Sequence, residues 1–68
     1  MTFNEIKTKL SAAGLPNWAM SETTDQDGLV GLHVHYEELE QFAPDVATIK
    51  SMKPEATDKG LAFMPHAA

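Results

Sequence analysis

Leu29-Val30-Gly31-Leu32-His33-Val34-His35-Tyr36 alternates apolar side chains with others at period two, the pattern of a half-buried β-strand. Val30, Leu32, Val34 and Tyr36 fall on one face, and Gly31, His33 and His35 on the other. The first face can make a core, and the second displays two histidines. The rest of the chain is read outward from this strand.

Upstream, Trp18 to Thr24 reads as a partner strand, joined to the central one through Asp25-Gln26-Asp27-Gly28. A three-residue loop of Gln26, Asp27 and Gly28, with Gly28 left-handed in a bulge, pairs Trp18 with Tyr36, Met20 with Val34 and Glu22 with Leu32. That register collects the large apolar side chains on one face and leaves Glu22 at the rim. Further upstream, Thr2 and Glu5 form a Thr-x-x-Glu capping box, and Met1 and Ile6 occupy the positions of a hydrophobic staple. The spacing predicts a helix over 3–13, with Phe3, Ile6, Leu10 and Ala13 on one stripe and a Glu5–Lys9 pair on the wet side. Gly14 closes the helix, Leu15 folds back on Leu10, and Pro16 bars continuation.

Downstream, Leu39, Phe42, Val46 and Ile49 hold one helical phase from Glu37 to Met52, although Ala43-Pro44 interrupts it. The pattern fits one kinked helix or two short collinear ones with Pro44 opening the second, and both bury the same stripe. Pro54 to Lys59 reads as a polar loop ending at Gly60. Leu61-Ala62-Phe63-Met64 reads as a short third strand, returning antiparallel to the first as an edge. The predicted fold is α+β in the order α-β-β-α-β, a single small domain over residues 1–68. It has a two- or three-stranded antiparallel sheet, both helices on the Val30/Val34 face, and residues 65–68 frayed.

A chain of 68 residues holds one small core. With no cysteine it has neither a disulfide staple nor a thiolate metal cluster, so added stability comes from packing, oligomerisation or a partner. The N-terminus lacks a basic segment leading into an apolar run, and no stretch reaches the length of a membrane span, which predicts a soluble cytoplasmic protein with no membrane contact. Ten acidic residues against five lysines (Lys7, Lys9, Lys50, Lys53, Lys59) and no arginine give a net charge of −5. Direct nucleic-acid binding needs clustered cations and is disfavoured. The acidic surface suits a basic protein partner, or serves solubility alone.

Among residues that carry chemistry, His33 and His35 are the sharpest pair. Alternate strand residues point the same way about 7 Å apart, a spacing at which two imidazoles meet one metal ion. A third ligand would come from Glu37, Glu38 or His66, and without one the pair reads as polar residues on a solvent face or a pH-sensitive contact. Thr23 to Gly28 resembles part of a calcium loop, but Thr23 stands where the first carboxylate belongs and Val34 where the bidentate glutamate belongs. Ser11, Ser21 and Ser51 lack a nucleophile elbow, and no phosphate loop or cofactor motif is present, which argues against an enzyme.

Glu22, Asp25 and Asp27 at the hairpin tip and Glu37, Glu38 and Glu40 at the other end of the central strand make two acidic groups, separated by roughly 25 Å of extended chain. The leading expectation is a non-enzymatic module that binds a basic protein through these six carboxylates. Its concrete form is a small inhibitor masking a nucleic-acid-binding surface, of the kind phages use against host defence. The alternatives are a metal- or pH-responsive domain built on His33 and His35, and a self-associating subunit (a homo-oligomer) using a free sheet edge.

Overall fold

The computed structural model describes residues 1–65. Over these the chain forms α1 (Phe3–Ala12), a 3₁₀ turn (Asn17–Ala19), β1 (Ser21–Thr24), β2 (Val30–His35), α2 (Tyr36–Phe42), α3 (Val46–Ser51), β3 (Glu55–Ala56) and β4 (Gly60–Phe63). The class is α+β as read from the sequence, but the sheet has four strands, all antiparallel, in the order β1-β2-β4-β3. Of the tail expected to fray, Pro65 is described and half-buried, and positions 66–68 lie outside the described residues.

Helix α1 is held at both ends by the groups its sequence supplies. The Thr2 hydroxyl accepts from the Glu5 amide at 3.2 Å, and the Glu5 carboxylate accepts from the Thr2 amide at 3.2 Å, completing the capping box. At the other end the Leu15 amide donates to the Leu10 carbonyl and the Gly14 amide to the Ser11 carbonyl, both at 3.1 Å. This double bond pattern is a Schellman close, and it turns Leu15 under the helix into the core.

The hairpin register is the predicted one, with Glu22 opposite Leu32 and Ser21 opposite His33. Gly28 takes φ +83°, and its amide donates to the Asp25 carbonyl at 3.2 Å. The partner strand is shorter than expected. Pro16 directs Asn17-Trp18-Ala19 into a 3₁₀ turn, in which the Ala19 amide donates to the Pro16 carbonyl at 3.1 Å. Ala19 is thereby buried and Trp18 turned outward, so the expected Trp18–Tyr36 pair does not form. Tyr36 leaves the strand to open α2, and Val30 is exposed at the start of β2, so the core face of this strand is Leu32 and Val34.

The segment after β2 is two helices, and the second opens at Asp45 rather than Pro44. Ala43 takes a left-handed φ of +42° with its amide on the Leu39 carbonyl, and Pro44 has no amide with which to continue. Asp45 caps α3, accepting from the Ala47 amide at 3.3 Å and the Thr48 hydroxyl at 2.7 Å, while its own amide donates to the Ala13 carbonyl beyond α1. The left-handed residue resets the helical phase. Ile49 and Met52 are buried and Leu39 and Phe42 half-buried, but Val46, expected in the same stripe, is 62% exposed.

Strand β4 does not return to β1 as an edge; it pairs with β2, with Phe63 opposite Leu32 and Leu61 opposite Val34. Parity explains the choice, because this pairing sends Phe63 into the core beside two apolar residues, where β1 offers Glu22 on the same face. The supposed loop before Gly60 contains β3, which pairs with β4 through Ala56 opposite Leu61. Thus β1 and β3 are the edges. Ile6, Leu10, Leu15, Leu32, Val34, Ile49, Met52 and Phe63 form the core between α1, α3 and the sheet, each fully buried side chain contributing about 1.5 to 3 kcal/mol. The opposite sheet face is partly covered as well. Ala62 and Met64 are buried there, and a Cβ on Gly31 would meet the Phe63 carbonyl oxygen and the Met64 sulfur, so only glycine fits.

Candidate protein-interaction surface

Of the six predicted carboxylates, Asp25 and Asp27 sit in the turn at one end of β2 and Glu37, Glu38 and Glu40 on α2 at the other, about 20 Å apart for six extended residues, whereas Glu22, expected at the tip, lies within β1 opposite Leu32. Glu22 on β1 and Asp27 at the hairpin tip are exposed, while Asp25 is occupied by the turn: its Oδ1 accepts from the Asp27 and Leu29 amides, each at 2.9 Å. Its carboxylate therefore shapes the tip as well as charging it. At the other end, Glu37 and Glu38 lie in the first turn of α2, where the helix dipole favours negative charge, and Glu40 follows. Glu37 and Glu40 are exposed, and Glu38 is half-buried with its Oε1 3.9 Å from His35 Nδ1.

Trp18 was expected on the core face and instead stands 70% exposed. Its ring meets Phe42 edge to face, with centroids 5.3 Å apart and planes at 73°. Phe42 is the last residue of α2, and Glu38 lies one helical turn before it on the same side. The 3₁₀ turn and α2 together set an exposed indole on the side of α2 that carries Glu38, while Glu37 and Glu40 fall on the helix's other side. The sequence signal for this was Pro16, whose extended conformation starts a short helical turn as readily as it starts a strand.

His33 and His35 share the other sheet face as predicted, with ring centroids 5.1 Å apart and planes at 86°. They are not equivalent. His33 is half-buried, and its Nε2 lies 3.0 Å from the Thr57 hydroxyl, whereas His35 is exposed. The Thr57 hydroxyl donates to the Gly60 carbonyl at 3.0 Å, which leaves it an acceptor toward His33 and puts the imidazole hydrogen on Nε2. Of the third ligands considered for a metal, Glu38 is beside His35, Glu37 is exposed on α2, and His66 lies outside the described residues. Among the described residues no group of three His, Asp or Glu side chains is placed to hold a metal ion.

No described helix is long and apolar enough to cross a membrane. Compared with known proteins, the chain matches no protein-family model, no curated protein and no solved structure at a significant level.

Proposed function

We propose that this chain is a non-enzymatic, acidic protein-binding module that docks on a basic partner, with Trp18 as the anchor of the contact. The observation that supports this reading best is the 70% exposure of Trp18 on a ring braced by Phe42. An indole left in water forgoes the burial that a core position would give it, and tryptophan is the residue most enriched where truncation costs an interface most. Its open face suits an arginine guanidinium or a lysine ammonium of a partner, a contact worth about 0.5 to 2 kcal/mol. Glu38, one turn along α2, supplies the carboxylate for the same cation, and Glu37 and Glu40, on the other side of α2, add negative charge at longer range.

The hairpin carboxylates, Asp25 and Asp27 at the tip and Glu22 on β1, add a second acidic region that steers approach and sets orientation. Carboxylates held at separate points of one small body in this way compete for a surface that otherwise holds phosphates, so the partner in this reading is a nucleic-acid-binding protein. Charge reversal tests the electrostatic half. A variant with Glu37→Lys, Glu38→Lys and Glu40→Lys loses at least tenfold in affinity for the basic partner, and parent binding weakens as salt rises. Binding that ignores both salt and charge reversal would reject this reading in favour of an apolar or strand-edge contact.

A further inference from the structure

We infer that the groove bounded by α2, α3 and β4 is a binding site for an apolar carboxylate of the size of a medium-chain fatty acid, its acid group held by Lys50 and Lys53. The groove has a volume of about 680 Å³, and its walls include Leu39, Val46, Ile49 and Leu61, with Lys50 and Lys53 beside them. Clefts of this size with apolar walls and a few polar groups are the usual form of small-molecule sites.

Charge decides the class of ligand. The chain carries net charge −5, yet two of its five lysines stand at this groove, three residues apart. Neither is paired with a carboxylate among the described residues. An apolar body with one anionic head satisfies both the walls and the lysines, whereas a cation or an uncharged lipid satisfies only the walls. Val46 fits the same reading: it is a large apolar side chain 62% exposed at a wall of the groove.

The backbone shapes the same walls. Ala43 and Lys53 both take left-handed conformations, at φ +42° and +51°, and each immediately precedes a proline. All four residues of these two corners line the groove. Ala43 and Lys53 are the left-handed residues that end a helix, α2 and α3 respectively, and they turn Pro44 and Pro54 into the groove wall. The groove shares no residue with the Trp18 surface, so the two readings stand or fall separately.

The test is an amide NMR titration of the full chain with decanoate, with decanol as the uncharged twin, repeated on a Lys50→Glu, Lys53→Glu variant. Decanoate is expected to shift the Val46, Lys50, Lys53 and Leu61 amides saturably, to bind about tenfold more tightly than decanol, and to lose that advantage in the variant. Unchanged signals from Leu10, Leu15 and Phe63 show that the variant is folded. The inference is overturned by the absence of saturable shifts at the groove, by equal binding of decanoate and decanol, or by undiminished binding to the variant. Groove shifts that follow protein concentration alone assign it to a second copy, and shifts from an acidic amphipathic peptide without any from decanoate assign it to a protein; either also overturns it.

Discussion

Thr57 ties the last hairpin to the rest of the sheet through almost every polar atom it has. Its amide donates to the Gly60 carbonyl at 2.8 Å, its hydroxyl accepts from the Gly60 amide at 3.0 Å and meets His33 Nε2, and its carbonyl accepts from the Tyr36 hydroxyl at 2.8 Å. Replacing it with valine keeps the shape and removes the hydroxyl, leaving the half-buried His33 nitrogen and the Gly60 amide without that partner. Thr57→Val is therefore expected to lower stability by about 1 to 3 kcal/mol in urea denaturation, and an unchanged midpoint would contradict this role. At the first helix, the Thr2 amide, which donates to the Glu5 carboxylate, and after it the adjacent Thr2 side chain hold the Glu5 carboxyl below its usual value of 4.5. A carboxyl with a lowered folded pKa adds stability that is fully present above its unfolded pKa and is lost as pH falls through the folded one. Glu5→Gln keeps an oxygen for the Thr2 amide but has no proton to gain, so its stability should fall less than the parent's between neutral pH and pH below 4.5. Parallel acid limbs in the two denaturation series would show that the box contributes nothing to the pH dependence.

Among the elements, the break between α2 and α3 has the most direct consequence. Ala43 is exposed and left-handed, so its methyl adds strain without packing in return. Ala43→Gly is expected to raise stability by about 0.5 kcal/mol, the relief of left-handed strain exceeding glycine's greater entropy when unfolded, and a loss of stability would contradict that balance. The same break explains why this part of the fold was hard to read. A phase of Leu39, Phe42, Val46 and Ile49 predicts a common face only along an unbroken helix, and the left-handed residue turns Val46 outward. By contrast α1 was legible in full, because its capping box and Schellman close are local signals within a few residues of each end. The β1–β2 register was equally legible, since Gly28 fixes the loop and parity fixes the rest. The partner of β4 was not, because the choice depends on which distant strand offers Leu32 and Val34 to Phe63 and Leu61. Strand β3, two residues without alternation, gives no periodic signal. Of the proposed contact, the carboxylates were candidates from sequence, whereas the exposure of Trp18 was not legible because Pro16 permits both a strand and a turn.

Over the whole molecule, a body of 31 × 23 × 19 Å with net charge −5 carries five of its ten acidic residues beyond the two ends of β2 and its one tryptophan exposed on the side of α2 that holds Glu38. Its core is small, and the sheet edges β1 and β3 are short, exposed strands of four and two residues. Short edges of this kind limit pairing with a second sheet, which leaves side-chain contacts as the better basis for a partner. Trp18 touches Phe42 at the surface and no core position depends on it, so Trp18→Ala is expected to change stability by less than about 1 kcal/mol while removing the anchor. The most direct measurement is therefore paired affinity capture, with immobilised parent and Trp18→Ala protein exposed to the same lysate from the source or host organism and eluted by a salt gradient. The account predicts one basic protein held stoichiometrically by the parent, released as salt rises, and absent from the folded Trp18→Ala protein. Retention of that protein equally by both, or no basic protein on the parent at all, would contradict it.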